Sequence, residues 1–202
     1  MERIFYHGIF PNIPCIAITK MIEIIQSGAI KSRRLQGVTS EFGFNGDDYI
    51  SICSKEDEKE YSKYPINAYD RYISNSFCFI ISDDIPAIKV RYIEVYNDFD
   101  FETILERMIE KPEQRYSDMF DEWQVKDEIN LNHIIGIGIP YDEVSQLNSE
   151  YKVELDTLIN ITTSMGWDII NTSDAKNLED YERRVLDLSL IHISEPTRQA
   201  EI

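Results

Sequence analysis

Cysteine, basic residues and long apolar runs are all scarce in this chain of 202 residues. Its three cysteines, Cys15, Cys53 and Cys78, stand far apart inside apolar segments, with no C-x-x-C pair and an odd total. That spacing argues against a disulfide framework and a zinc site, and predicts three reduced core thiols. No apolar run approaches the ~20 residues that a membrane helix requires. The opening Met1-Glu2-Arg3-Ile4-Phe5-Tyr6 lacks the apolar stretch of a signal peptide, so a soluble, cytoplasmic protein without a membrane partner is expected. Lysine and arginine number 20 against 37 aspartates and glutamates, a formal net charge of −17. Such a balance opposes a surface that tracks nucleic-acid phosphates, and a nucleic-acid partner would need a locally basic groove. His7 and His133 are the only histidines before residue 188, and no His/Asp cluster has ligand spacing. A metal-dependent hydrolase therefore finds little support, and no metal is expected. Repeats, low-complexity tracts, Gly/Ser linkers, a Rossmann fingerprint and a P-loop are all missing.

What remains is a composition able to bury a core, with 43% hydrophobic and 28% charged residues. A length of 202 residues fits one domain. Arg3–Tyr6 is β-prone, and Ile16, Met21, Ile22 and Ile25 fall near helical spacing before Gly28, which predicts a strand and then a glycine-capped helix over Ile16–Ser27. Ala29–Ser32 reads as a short strand, Gly37–Asp48 as a mobile surface loop, and Ser54–Tyr64 as helix or loop. Further strands are expected at Tyr49–Cys53, Phe77–Ser82, Ile88–Ile93, Glu122–Lys126, Ile134–Ile139 and Trp167–Ile170. Helices are expected at Phe101–Glu110, Val144–Met165 and Asp174–Leu186. Without regular βαβ alternation, this order predicts the α+β class.

The end of the chain is read separately. Leu188–Ile202 resembles the translation of a sequencing-library adapter, each residue having a codon consistent with that DNA. The native domain is therefore expected over 1–187, with 188–202 a non-native tail.

Three short segments carry residues of chemical interest. Phe5-Tyr6-His7-Gly8 is a strand ending in His-Gly. Gly46-Asp47-Asp48-Tyr49 leads into a strand followed by Ser54-Lys55, and Asp121-Glu122-Trp123-Gln124-Val125 opens a strand with a carboxylate. Alone, His7 reads as an imidazole satisfied by backbone, Tyr49 as a half-buried packing ring, and Glu122 as a solvated strand-end group.

In this order and at these separations, the segments resemble the His-Tyr-Glu signature of the ADP-ribosyltransferase superfamily, which includes the poly- and mono-ADP-ribosyl transferases and diphtheria-toxin-like enzymes. Lys126-Asp127-Glu128-Ile129 and Ile134-Ile135-Gly136-Ile137 are also similar to the DNA-modifying DarT toxins. The resemblance covers about residues 3–140 and leaves a helix-strand-helix over 141–187. It implies a split, antiparallel-rich β-sheet core with flanking helices, and NAD as substrate. By the resemblance, His7 would hold the adenosine ribose, the Gly8 backbone would meet the nicotinamide carboxamide, and Tyr49 would stack on the nicotinamide ring. Tyr61 lies near where the family places another stacking ring. Breaking the nicotinamide–ribose bond creates an oxocarbenium-like centre, and a carboxylate near the ribose, here Glu122, is its natural stabiliser. Arg33 or Arg34 could pair the diphosphate with guanidinium forks, or form a basic pair on an exposed turn.

Two departures narrow the acceptor. Arginine-modifying members carry Glu or Gln two residues before the catalytic glutamate, where this chain has Phe120, and Ile9 replaces the usual Ser or Thr after His-Gly. A non-arginine acceptor in protein, nucleic acid or a small molecule is the expectation. An NAD glycohydrolase, or a catalytically inactive nucleotide-binding or partner-binding module of the same fold, is the alternative.

The tail supplies a first prediction. A chain ending at Asp187 is expected to melt within about a degree of the full chain, because residues 188–202 were not selected to complement the core. A loss of several degrees in a calorimetric scan would show that the tail packs.

Overall fold

A computed structural model describes residues 3–38, 45–55, 73–90, 122–145, 147 and 149–194. Nine strands are described: β1 (Phe5–Gly8), β2 (Ala29–Lys31), β3 (Tyr49–Ile52), β4 (Cys78–Ile81), β5 (Ala87–Val90), β6 (Glu122–Lys126), β7 (Glu128–Asn130), β8 (Ile134–Ile139) and β9 (Asp168–Asn171). The helices are α1 (Pro14–Ser27), α2 (Tyr141–Val144), α3 (Ser149–Ser164) and α4 (Ala175–Ser194). The class is α+β, with every described strand pair antiparallel except β8 and β9, which run parallel across the α3 crossover.

The strands form a four-stranded sheet ordered β1-β4-β8-β9, a three-stranded sheet ordered β3-β6-β5, and a β2-β7 ribbon. One pair of residues joins the two larger sheets: Tyr6 and Cys53 exchange both backbone hydrogen bonds, at 2.8 and 3.0 Å. Period-two alternation then divides the core. Phe79 and Ile81 of β4 face one side with Phe5, Ile137 and Ile139, and Cys78 and Ile80 face the other with Tyr6 and Cys53.

Helix α1 covers the first side with Ala17, Ile18, Met21 and Ile25, a stripe at helical spacing. Each buried Ile, Leu, Phe or Met side chain contributes roughly 1.5–3 kcal/mol of transfer free energy. Gly28 ends α1 at φ 84°, a left-handed conformation in which its N–H reaches the Ile25 carbonyl, and β2 starts at once. On the second side α4 docks through Leu178 and Tyr181. Asp174 caps α4, its Oδ1 accepting from the Lys176 N–H at 2.9 Å.

Several expected boundaries move. The helix expected over Val144–Met165 starts only at Ser149, and Val144 instead ends the short α2; the Ser145 hydroxyl turns back to the Asp142 carbonyl, a local bond that competes with helix continuation. The last helix runs past Leu186 to Ser194, since no breaker intervenes before Pro196. The glycine-rich stretch over Gly37–Asp48 ends in a 3-10 turn at Asn45–Asp48, with residues 39–44 outside the described set. The expected helix at Phe101–Glu110 and most of Ser54–Tyr64 also lie outside it. No described helix is long and apolar enough to cross a membrane, and all three cysteines are free.

The close approach of β4, β8 and β9 makes Gly138 a strict position. A Cβ there would come within 2.5 Å of both Cys78 Sγ and Thr172 Cγ2. Gly138→Ala is expected to destabilise the protein by about 1–3 kcal/mol, the usual cost of overpacking, read as a lower denaturant midpoint with an unchanged slope.

Candidate functional site

The His-Gly end of β1 lies where two constraints meet. Its backbone pairs with β4, His7 opposite Phe79 and Gly8 opposite Cys78. Its imidazole reaches towards β3, with Nδ1 2.9 Å from the Ser51 carbonyl oxygen. A carbonyl can only accept, so Nδ1 carries the proton and donates. In the neutral ring, Nε2 is then an acceptor. Burial holds the His7 pKa below its ordinary 6.5, partly opposed by the Ser51 carbonyl, which favours the charged ring.

His7 and Gly8 line a cleft of about 530 Å³ beside α1. Lys20, Glu23 and Ser27 line it from α1 and Lys31 from β2. Lys20 Nζ donates to the Phe10 carbonyl, which ties α1 to the chain just after β1. The cleft thus combines a neutral imidazole acceptor, glycine backbone, two ammonium groups and one carboxylate, a mixture suited to a polar ligand with hydroxyl and anionic groups.

The Tyr49 and Glu122 strands are immediate neighbours. Tyr49 of β3 pairs with Lys126 and Ile52 with Trp123, while Glu122 opens β6 opposite Val90 of β5. Because β3 is also bridged to β1 at Cys53, the three motif strands stand side by side in the order β1, β3, β6. Trp123, the residue after Glu122, reaches β1 itself: its ring meets Phe5 edge-on at 5.3 Å between centroids. The Arg3 guanidinium lies 4.7 Å over the same indole, a cation–π contact.

The predicted residues are not all gathered equally. Tyr49 is half-buried and pairs at the opposite end of the β3–β6 ladder from Glu122, about 14 Å along it at ~3.4 Å per residue. It does not line the cleft, and neither does Arg33 or Arg34. Arg33 is exposed; Arg34 is ion-paired with Asp48, and its N–H donates to the Asp47 carbonyl, so it braces the turn before Tyr49. Tyr61 lies outside the described residues. The cations that do line the cleft, Lys20 and Lys31, escaped the motif reading. Lys20 was legible in principle, since Lys20, Glu23 and Ser27 form a polar stripe at helical spacing opposite the buried face of α1.

A second polar cluster lies elsewhere. Asp84 accepts from the Ser82 hydroxyl and from His133 Nδ1, the latter at 3.1 Å, and these bonds hold its carboxyl below the usual range. The carboxylate stands between the other two, so the order of a nucleophilic triad is absent. Among the described residues no three His, Cys, Asp or Glu side chains gather as a metal site. No family model, curated protein or solved structure significantly matches the chain.

The His7 environment predicts a pH dependence. Its folded pKa lies below the unfolded value of 6.5, so the unfolded chain binds the proton more readily. This contribution to stability is present above about pH 6.5 and is lost as pH falls through the folded pKa. Denaturant titrations of His7→Gln are expected to show a shallower fall in stability below that pH than wild type.

Proposed function

We propose that this protein transfers ADP-ribose from NAD to a non-arginine acceptor. The observation that carries the reading is the adjacency of the three motif strands: His-Gly, tyrosine and glutamate segments far apart in sequence stand on neighbouring strands, with His7 hydrogen-bonded to the tyrosine strand. The split between two antiparallel-rich sheets agrees with the fold that the same resemblance implies.

The chemistry follows from these groups. His7 Nε2 accepts a hydrogen bond from a ribose hydroxyl, its tautomer set by Ser51, and the Gly8 backbone meets the nicotinamide carboxamide. Lys20 and Lys31 supply positive charge for the diphosphate, the role that Arg33 and Arg34 were expected to fill. Glu122 stabilises the developing positive charge at the nicotinamide ribose. The ribose C1′–nitrogen bond breaks, its electron pair leaving with nicotinamide, and the acceptor forms the new bond at C1′ while losing its proton. With water as acceptor, the same step yields free ADP-ribose.

Mass spectrometry of NAD turnover, with and without candidate acceptors, tests the reading. Glu122→Gln is expected to slow turnover by on the order of 10²–10³ through loss of one preorganised charge, with NAD binding little changed. Because Tyr49 lies outside the cleft, Tyr49→Ala tests the stacking role directly: a loss of ~1–3 kcal/mol in binding supports it, and unchanged affinity removes Tyr49 from the site. Turnover by Glu122→Gln at the wild-type rate eliminates Glu122 as catalyst. Binding without turnover under any acceptor points to the inactive module.

A further inference from the structure

The His7 strand and the chain just before Ser54-Lys55 share one backbone-bridged residue pair, and a side chain from the C-terminal helix grips both sides of it. Tyr6 precedes His7, Cys53 precedes Ser54, and their two backbone bonds form the bridge. The Tyr6 ring is fully buried, and its hydroxyl donates to Glu182 Oε1 at 2.6 Å. The other oxygen of the same carboxylate lies 3.9 Å from Lys55 Nζ, and Glu179 Oε1, one helical turn earlier, lies 3.1 Å from that ammonium. The Glu182 side chain is only 14% exposed, so water screens these contacts less than at an open surface pair.

We infer that Glu182 is a positioning residue of the candidate site, by which α4 latches the His7 strand to the Ser54-Lys55 end of the tyrosine strand. The inference rests on the proposed function. Two four-residue strands joined by one backbone pair and the His7–Ser51 bond have little register of their own, since few contacts between them resist shear or fraying. A carboxylate bonded to one partner of the bridge and paired with the residue beyond the other removes that freedom. The consequence is that the site needs the part of α4 that carries Glu179 and Glu182, although the motif residues all lie before residue 123. Catalytic geometry tolerates little: a displacement of about 1 Å can cost ~10²-fold in rate.

Tyr6→Phe isolates the latch, because it deletes the donor and keeps the ring. Glu182→Gln retains an oxygen for Tyr6 and leaves Lys55 paired with Glu179. Ile139→Val, a small packing loss in β8 away from the bridge, serves as a control for general destabilisation. Amide exchange at Tyr6 and Cys53 and the affinity for NAD would be measured in the full chain, well below the melting temperature. In Tyr6→Phe, exchange at both amides is expected to accelerate at least about tenfold relative to the rest of the core, as loss of one buried bond to a charged group implies. NAD affinity is expected to fall about tenfold, with Glu182→Gln intermediate in both readouts. If wild type binds NAD while Tyr6→Phe matches Ile139→Val in either readout, the latch is overturned alone. A wild type that neither binds nor consumes NAD overturns the proposed function, and with it the inference.

Discussion

The two backbone hydrogen bonds between Tyr6 and Cys53 are the contact on which the arrangement of the site depends. They are the one described strand-type pairing between the four-stranded and three-stranded sheets. Everything of functional interest is measured from that pair. His7 follows Tyr6, Ser54-Lys55 follows Cys53, and Glu122 opens the strand hydrogen-bonded to β3. A backbone pair of this kind is directional, so it sets the order of the strands as well as their proximity.

Packing defends the pair from both faces. On one side Phe5 stacks edge-on against Trp123 and joins the large core under α1 and α3. On the other, Tyr6 and Cys53 belong to a smaller cluster closed by Leu178 and Tyr181 of α4. Burial of the Tyr181 hydroxyl pushes its pKa up, because the phenolate would have to form away from water. The fully buried Cys78 thiol is pushed up to about 12 for the same reason, which makes it a packing group and a poor nucleophile.

The acidity of the chain gives the cleft its contrast. Against a formal net charge of −17, Lys20 and Lys31 bring positive charge to the wall where His7 and Gly8 lie. A local cationic surface on an acidic protein attracts an anionic ligand at short range, while the overall field disfavours long polyanions.

Sequence by itself determined the elements built from local rules. Alternation in Tyr49–Cys53 and the short apolar runs Phe77–Ser82 and Ile134–Ile139 marked strands, the helical spacing of Met21, Ile22 and Ile25 ahead of Gly28 marked α1, and the spacing of the cysteines argued against disulfide staples. The three motif segments were legible for the same reason, since each is short and self-contained. Only the tertiary structure decided which residues share the cleft. The resemblance and the fit of guanidinium groups to phosphate made Arg33 and Arg34 the cationic candidates, yet Arg34 is turned to Asp48, and the lysines at hand come from α1 and β2. The break between α2 and α3 and the partnership of Glu182 with Tyr6 were likewise outside the reach of sequence. Propensity and periodicity act over a few residues, whereas these features join groups as much as 176 positions apart, and only the folded chain brings such groups within a bond length of each other.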